Sequence, residues 1–411
     1  MGRGIDCIVT WALAVVKIIS VLIFALFLPW LCVYYSQDDL PADRGPILGI
    51  EEFTHTMLTS MVPHDAACTF RSALVIDAKT YITAGHAHIS LLREKGACVT
   101  TLFILDDGVS YVQQKPLPGI TIIPIKKDRY DTIAGCNSAE FDCIMIDVQE
   151  TGFVPYDGEP LLAVLALASK GKKPVIVFDR PNMLGASIEG FGMWLGSRAL
   201  IPFRHGMTIG ELAQFCNRHI LETPVTLHVV QMKHYQRLAQ DADRSHWVSQ
   251  YCMQGFIDIM HEVKPFEVRV SADNKYHSIM LPVQISRSKR MWRALSAQLK
   301  RVGVEGKMYE YSNEATGQAY LGLNVSVQDV NAFSLNGALL TTLRFFSGVG
   351  LTFTYSERLR DMIGMHAIQS YLAGTVTEKE ALDALEHEAQ LFFSKALGSF
   401  LYQPLPKIMA S

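Results

Sequence analysis

Between residues 106 and 211 the sequence carries four polar clusters whose residue types suit acid–base or anion-binding chemistry. The first is Asp106-Asp107-Gly108, directly after an apolar run. A carboxyl group at a strand end can serve as general acid or base when burial or a neighbour raises its pKa. The same three residues also spell a tight Asp-Gly turn. The second is Asp147-Val148-Gln149-Glu150. Along a strand Asp147 and Gln149 share one side, because side chains alternate with a period of two. Four apolar residues precede Asp147, so burying it demands a partner. The third is Asp179-Arg180-Pro181-Asn182, where Pro181 turns the chain and Arg180 can grip a carboxylate in bidentate fashion. An internal Asp–Arg pair holding the loop explains it equally. The fourth is Arg204-His205 followed by Thr208-Ile209-Gly210-Glu211. The T-x-x-E spacing is a capping box, which accounts for Thr208 and Glu211 without chemistry. Arg204 and His205 fall outside that explanation and would stand at a helix amino terminus, a place suited to anions.

These clusters need a scaffold, and the hydrophobic pattern supplies one. Apolar strand-like runs cover 71–77, 99–105, 118–124, 142–148, 174–178 and 226–232. Helical periodicity covers 47–61, 83–95, 159–170 and 208–220. The alternation predicts an α/β fold with a Rossmann-like, mainly parallel sheet over residues 44–262, whose strands are apolar throughout because helices cover both faces. Ligands of such sheets lie outside the carboxyl ends of the strands, where the polar clusters fall. Residues 263–411 read as a smaller α+β domain, with strands near 278–285 and 320–330. Its helices read over 289–302, 334–345, 357–373 and 377–395. Thr377 and Glu380 form a second capping box there, and Gly374 closes the helix before it.

The totals narrow the function classes. A hydrophobic content of 49% over 411 residues supports a large core, and a net charge of -3 argues against nucleic acid as a partner. The eight cysteines make no C-x-x-C pair and show no zinc spacing, so neither a metal nor another cofactor is expected. No G-x-G-x-x-G, Walker loop or G-x-S-x-G elbow occurs. Residues 18–35 form an apolar run long enough to cross a bilayer. Arg3 and Lys17 precede it, whereas Asp38, Asp39 and Asp43 follow. That bias predicts a membrane-anchoring transmembrane helix within 1–43 and the remaining chain on the extracytoplasmic, periplasmic side. The rival, a cleaved signal peptide, lacks an A-x-A site.

Taken in order, the clusters resemble the NamZ family of exo-β-N-acetylmuramidases, whose pattern runs P-E-H-G, D-[IV]-Q-D-x-G, D-R-P-N, E-G and R-H-G-M-T-x-G-E-L. Residues 147–152 match the second motif with Glu150 for Asp. Asp179 to Asn182 match the third, Glu189-Gly190 the fourth, and Arg204 to Leu212 the last. Met232 to Arg237 and the closing Phe400-Leu401-Tyr402 extend the likeness. The resemblance implies a Rossmann-like domain with an auxiliary domain, and removal of N-acetylmuramic acid from the non-reducing ends of peptidoglycan fragments. By the same resemblance Asp106 occupies the place of the family's catalytic Glu and Asp107 that of the following His. Asp147 or Glu150 would be the second carboxylate, and Arg180, Arg204 or His205 would bind the lactyl carboxylate. Asp107, Gln149, Asp179, Asn182 and Glu189 join the substrate-binding set. The chain departs from the family at Asp106, one methylene shorter than Glu, and in a glycine-rich segment of which 247–282 keeps only traces. Those departures motivate the alternative of a non-catalytic relative that binds wall glycan or a protein partner.

Overall fold

The computed structural model describes residues 48–54, 57, 70–77, 87–106, 119–126, 131–149, 152–196, 198–237, 253, 255–270, 277–286, 288–327, 333–356, 359 and 365–408. The expected anchor lies outside these residues. Among the described residues no helix is long and apolar enough to cross a membrane. Pro46–Ser411 forms one compact unit.

Its centre is a six-stranded sheet. In chain order the strands begin with β1 (Phe70–Asp77), β2 (Ala97–Asp106), β3 (Thr121–Lys126), β4 (Cys143–Asp147) and β5 (Val175–Phe178). A hairpin outside this sheet then supplies β6 (Ser187–Leu195) and β7 (Ala199–His205), and β8 (Leu227–Val230) completes the sheet. The spatial order is β3-β2-β1-β4-β5-β8, with every pair parallel. The order reverses between β1 and β4, which in open α/β sheets marks the ligand crevice at the carboxyl ends.

Strand periodicity sorts the apolar side chains into two cores. Ala73, Val75, Ile144, Ile146, Val175 and Val177 face one core, with helix α2 (Val154–Gly171) and helix α3 (Ile209–His219). Leu74, Ile76, Cys143, Met145, Ile176 and Phe178 face the other, with Ile89 and Leu92 of helix α1 (residues 87–94) and with Ile50 and Phe53. Both faces are covered, so the central strands β4 and β5 are apolar on both sides up to the terminal Asp147. Asp147 shares the parity of Cys143 and Met145, and therefore points toward α1.

The first core runs on into a smaller antiparallel sheet. A short pairing of β9 (Val263–Lys264) with β14 (Thr354–Tyr355) leads into it. The sheet has the order β10-β11-β13-β12, from β10 (Glu267–Val270), β11 (His277–Pro282), β12 (Val304–Ser312) and β13 (Ala319–Val327). Helix α4 (Lys289–Leu299) and helix α5 (Leu335–Gly348) pack on it through Trp292 and Phe346, whose rings are 5.1 Å apart. Helix α6 (Met365–Leu372) follows, then α7 (Glu378–Ala396), which opens with the expected Thr377/Glu380 capping box. The chain ends by returning to its first part: β15 (Lys407–Ile408) joins β6 in parallel, giving a third sheet of order β15-β6-β7. The protein is thus mainly α/β, with a large parallel sheet and a separate smaller one.

Candidate functional site

At the switch point the structure assembles an ionic cluster. Asp147, the last residue of β4, is wholly buried. Its Oδ1 accepts a hydrogen bond from Arg180 Nε at 2.6 Å, and its Oδ2 lies 2.6 Å from His88 Nδ1. Burial pushes the Asp147 carboxyl up, yet His88 and Arg180 outweigh it and hold the group below the usual carboxylate range. Arg180 follows β5 and reaches Asp147 across adjacent strands. Its Nη2 is buried and has no hydrogen-bond partner among the described residues, which leave one edge of the guanidinium unsatisfied. Gln149 Nε2 donates to Pro181 O at 2.9 Å and ties the loop after β4 to the loop after β5.

A second knot forms around Asp179 and Glu211, both fully buried. Asp179 Oδ1 accepts from Arg180 N at 3.0 Å and Gly210 N at 2.9 Å. Its Oδ2 accepts from Thr208 Oγ1 at 2.9 Å and Tyr402 Oη at 2.6 Å. Burial first, and then the neighbouring Glu211 charge, push the Asp179 carboxyl up to about 7. Glu211 closes the expected capping box with Thr208. It also pairs with Arg237 and accepts from Leu401 N and Tyr402 N. The R-H-G-M-T-x-G-E-L segment thereby fastens the carboxyl-terminal stretch to the end of β5.

The other candidates are engaged inside the fold. Glu189 and Arg204 are cross-strand partners in the β6–β7 hairpin, both buried, with Oε2 and Nη1 3.7 Å apart. Glu189 Oε1 accepts from Ser334 Oγ at 2.7 Å and Asn336 N at 3.3 Å, and Arg204 Nη2 donates to Leu184 O at 2.6 Å. Burial pushes the Glu189 carboxyl up against the pull of Arg204. Asn182 Nδ2 donates to Met207 O, and its Oδ1 accepts from Leu184 N, both at 2.7 Å. His205 is fully buried, its Nδ1 accepting from Met207 N at 3.2 Å. These residues shape the loops behind Arg180.

Glu150, expected as a catalytic carboxylate, and Asp107, expected to bind substrate, lie outside the described residues. Asp106 closes β2, where it follows Leu105, the partner of Asp77 at the end of β1. Asp77, Asp106 and Asp147 therefore end three adjacent strands, with β2 and β4 separated by two strand spacings, about 10 Å. Sequence reasoning passed over Asp77 and His88. The available signal was positional, since the segment after the first strand of a doubly wound fold opens onto the ligand crevice. Among the described residues no group of His, Cys, Asp and Glu side chains could hold a metal ion. A cavity of about 130 Å³ lined by Leu281, Ile285, Met291 and Phe346 lies beside the smaller sheet. Its lining, which also includes Gln284, offers no acid–base group.

Comparison with known proteins agrees with this architecture. The family model "Exo-beta-N-acetylmuramidase NamZ, N-terminal" matches residues 73–251. A curated relative, the peptidoglycan beta-N-acetylmuramidase NamZ of Bacillus subtilis (strain 168), is 38% identical over 105 residues. That match spans 23% of this chain and about a quarter (25%) of the relative. Two crystal structures of DUF1343 family proteins from Bacteroides fragilis NCTC 9343 share the fold. One has a TM-score of 0.61 at 18% identity and covers 87% of this chain. The other has a TM-score of 0.63 at 15% identity and covers 88%. Both are matched over 99% of their own length.

Proposed function

Because this chain is a NamZ-like family member, we propose that it is a glycosidase acting on peptidoglycan fragments, removing N-acetylmuramic acid from their non-reducing ends. One observation carries the reading beyond family likeness. Arg180 is held rigidly by Asp147 at the switch-point crevice, with Nη2 buried and unsatisfied. An arginine so placed favours a planar anion that can accept the remaining N–H groups. The lactyl carboxylate distinguishes N-acetylmuramic acid from other wall sugars. Asp106, at the end of β2 with β1 between it and β4, is the general acid of this reading. Residues 44–262 form the glycosidase domain and 263–411 the auxiliary domain. The apolar run at 18–35 anchors the chain in the membrane, with the domains on the extracytoplasmic side.

The test is incubation of the full-length chain with a disaccharide bearing N-acetylmuramic acid at its non-reducing end, with and without the lactyl carboxylate. Release of the carboxylate-bearing sugar is expected, and Arg180→Gln should raise KM about tenfold or more. No sugar released by the wild-type chain overturns the reading. The alternative, a relative that holds glycan without cleaving it, is favoured by Asp106 standing where the family has Glu. It expects sugar binding without turnover, unchanged in Asp106→Asn.

A further inference from the structure

Asp147 is ill suited to donating or accepting a proton from a sugar. Both its oxygens are engaged, by Arg180 and by His88, and none of its surface is exposed. A carboxylate in that position can instead fix the orientation and tautomer of the imidazole beside it. His88 stands in α1, in the segment that follows β1 at the carboxyl edge of the sheet. Its Nδ1 is the buried nitrogen, whereas its side chain keeps 13% of its exposure. Nε2 is the ring's other nitrogen. Nδ1 lies 2.6 Å from Asp147 Oδ2; with the proton on Nδ1, neutral His88 keeps a bare Nε2 acceptor, and the imidazolium formed when Nε2 takes a proton gains a carboxylate counter-charge. Arg180 completes the set by sharing Asp147, so the anion grip and the imidazole are held by one buried group.

We propose that His88 is the proton-transfer residue of the crevice and that Asp147 is its positioning residue. This rests on the glycosidase reading above. Nε2 of His88 takes a proton from water as the water oxygen bonds to the anomeric carbon. The glycosidic C–O bond breaks, its electron pair leaving with the departing oxygen, which takes a proton from Asp106. His88 then returns its proton to solvent and Asp106 regains one, so the sum is one water consumed per bond cleaved.

The experiment uses the full-length chain as wild type, His88→Ala, His88→Gln and Asp147→Asn. With the muramic-acid-terminated disaccharide, both His88 variants should lose about a hundredfold or more in kcat with KM changed little, within the usual range for general acid–base groups. Imidazole added to His88→Ala should restore part of the rate, because it fits the vacated space against Asp147. His88→Gln keeps a donor toward Asp147 and guards against a loss caused by misfolding. A kcat within a few-fold of wild type in the folded Gln variant overturns the proposal. A second readout needs no turnover: diethyl pyrocarbonate labelling, resolved at His88 by peptide mass spectrometry. Modification at Nε2 that the disaccharide blocks and Asp147→Asn slows is expected. If wild type cleaves nothing while His88 is labelled and protected, the glycosidase reading fails and the proposed catalytic role falls with it, leaving Asp147 and His88 as a binding pair. A folded chain whose His88 resists labelling overturns the pair itself.

Discussion

Replacing Asp179 with Asn gives a stability effect that can be worked out from the structure. The Asp179 carboxyl rises from 3.8 to about 7, because it is fully buried and lies near Glu211. The sign follows from proton counting. Between these two values the folded chain holds a proton that the unfolded chain has released, so stability falls as pH rises. The contribution is complete below about pH 4 and lost once pH passes about 7. Each pKa unit corresponds to about 1.4 kcal/mol, so Asp179 removes about 3 kcal/mol between pH 5 and pH 8. The amide of Asn keeps an oxygen for the Arg180 and Gly210 N–H groups and turns its NH2 toward the Thr208 and Tyr402 oxygens. It carries no titration. Urea unfolding of wild type and Asp179→Asn at pH 5, 6, 7 and 8 isolates the effect as a double difference, because Asp147, Glu189 and the surface groups titrate in both. The gap between the two proteins should shift by about 3 kcal/mol in favour of the variant as pH rises. A shift below about 0.5 kcal/mol, or one of opposite sign, refutes the reasoning.

Other perturbations test the same network. Tyr402→Phe removes a donor to Asp179 and leaves the buried Met232 N–H without its 3.0 Å acceptor, which should cost about 1–3 kcal/mol in a denaturant titration. Thr208→Ala breaks the capping box of α3 and a second Asp179 contact. A loss of about 1–2 kcal/mol is expected, and Thr208→Ser should recover most of it. Arg204→Met strands Glu189 as a buried charge and should destabilise by about 3–5 kcal/mol, with Glu189→Gln in the same chain recovering part of the loss. Gly322→Ala would place a methyl 2.0 Å from Ile279 O between β11 and β13, and the melting temperature should fall by several degrees.

The sequence determined the parallel sheet, the two capping boxes and the helices over 154–171 and 209–219, because each is a local consequence of periodicity and of side chains reaching three or four residues along the chain, whereas the helix read over 47–61 is broken, its first turn Gly49–Glu52 ending at an extended Phe53. It did not reveal β6, β7, β10 or β12. Gly190 and Gly192 interrupt the first of these, and β12 carries charged residues on both of its faces, Lys307 on one and Glu310 on the other. The polar clusters were legible as chemistry, but their division of labour was not. Asp179, Asn182, Glu189 and Arg204 serve the inside of the fold, whereas Asp147 and Arg180 meet at its edge. What decided this was a set of contacts between distant parts of the chain: His88 with Asp147 at the end of β4, and Tyr402 with Asp179 from the other end of the sequence. Sequence patterning fixes which face of a strand a side chain leaves from. Only the packed sheet order, which sets β1 beside β4 and brings the carboxyl-terminal stretch to the end of β5, fixes what that side chain meets.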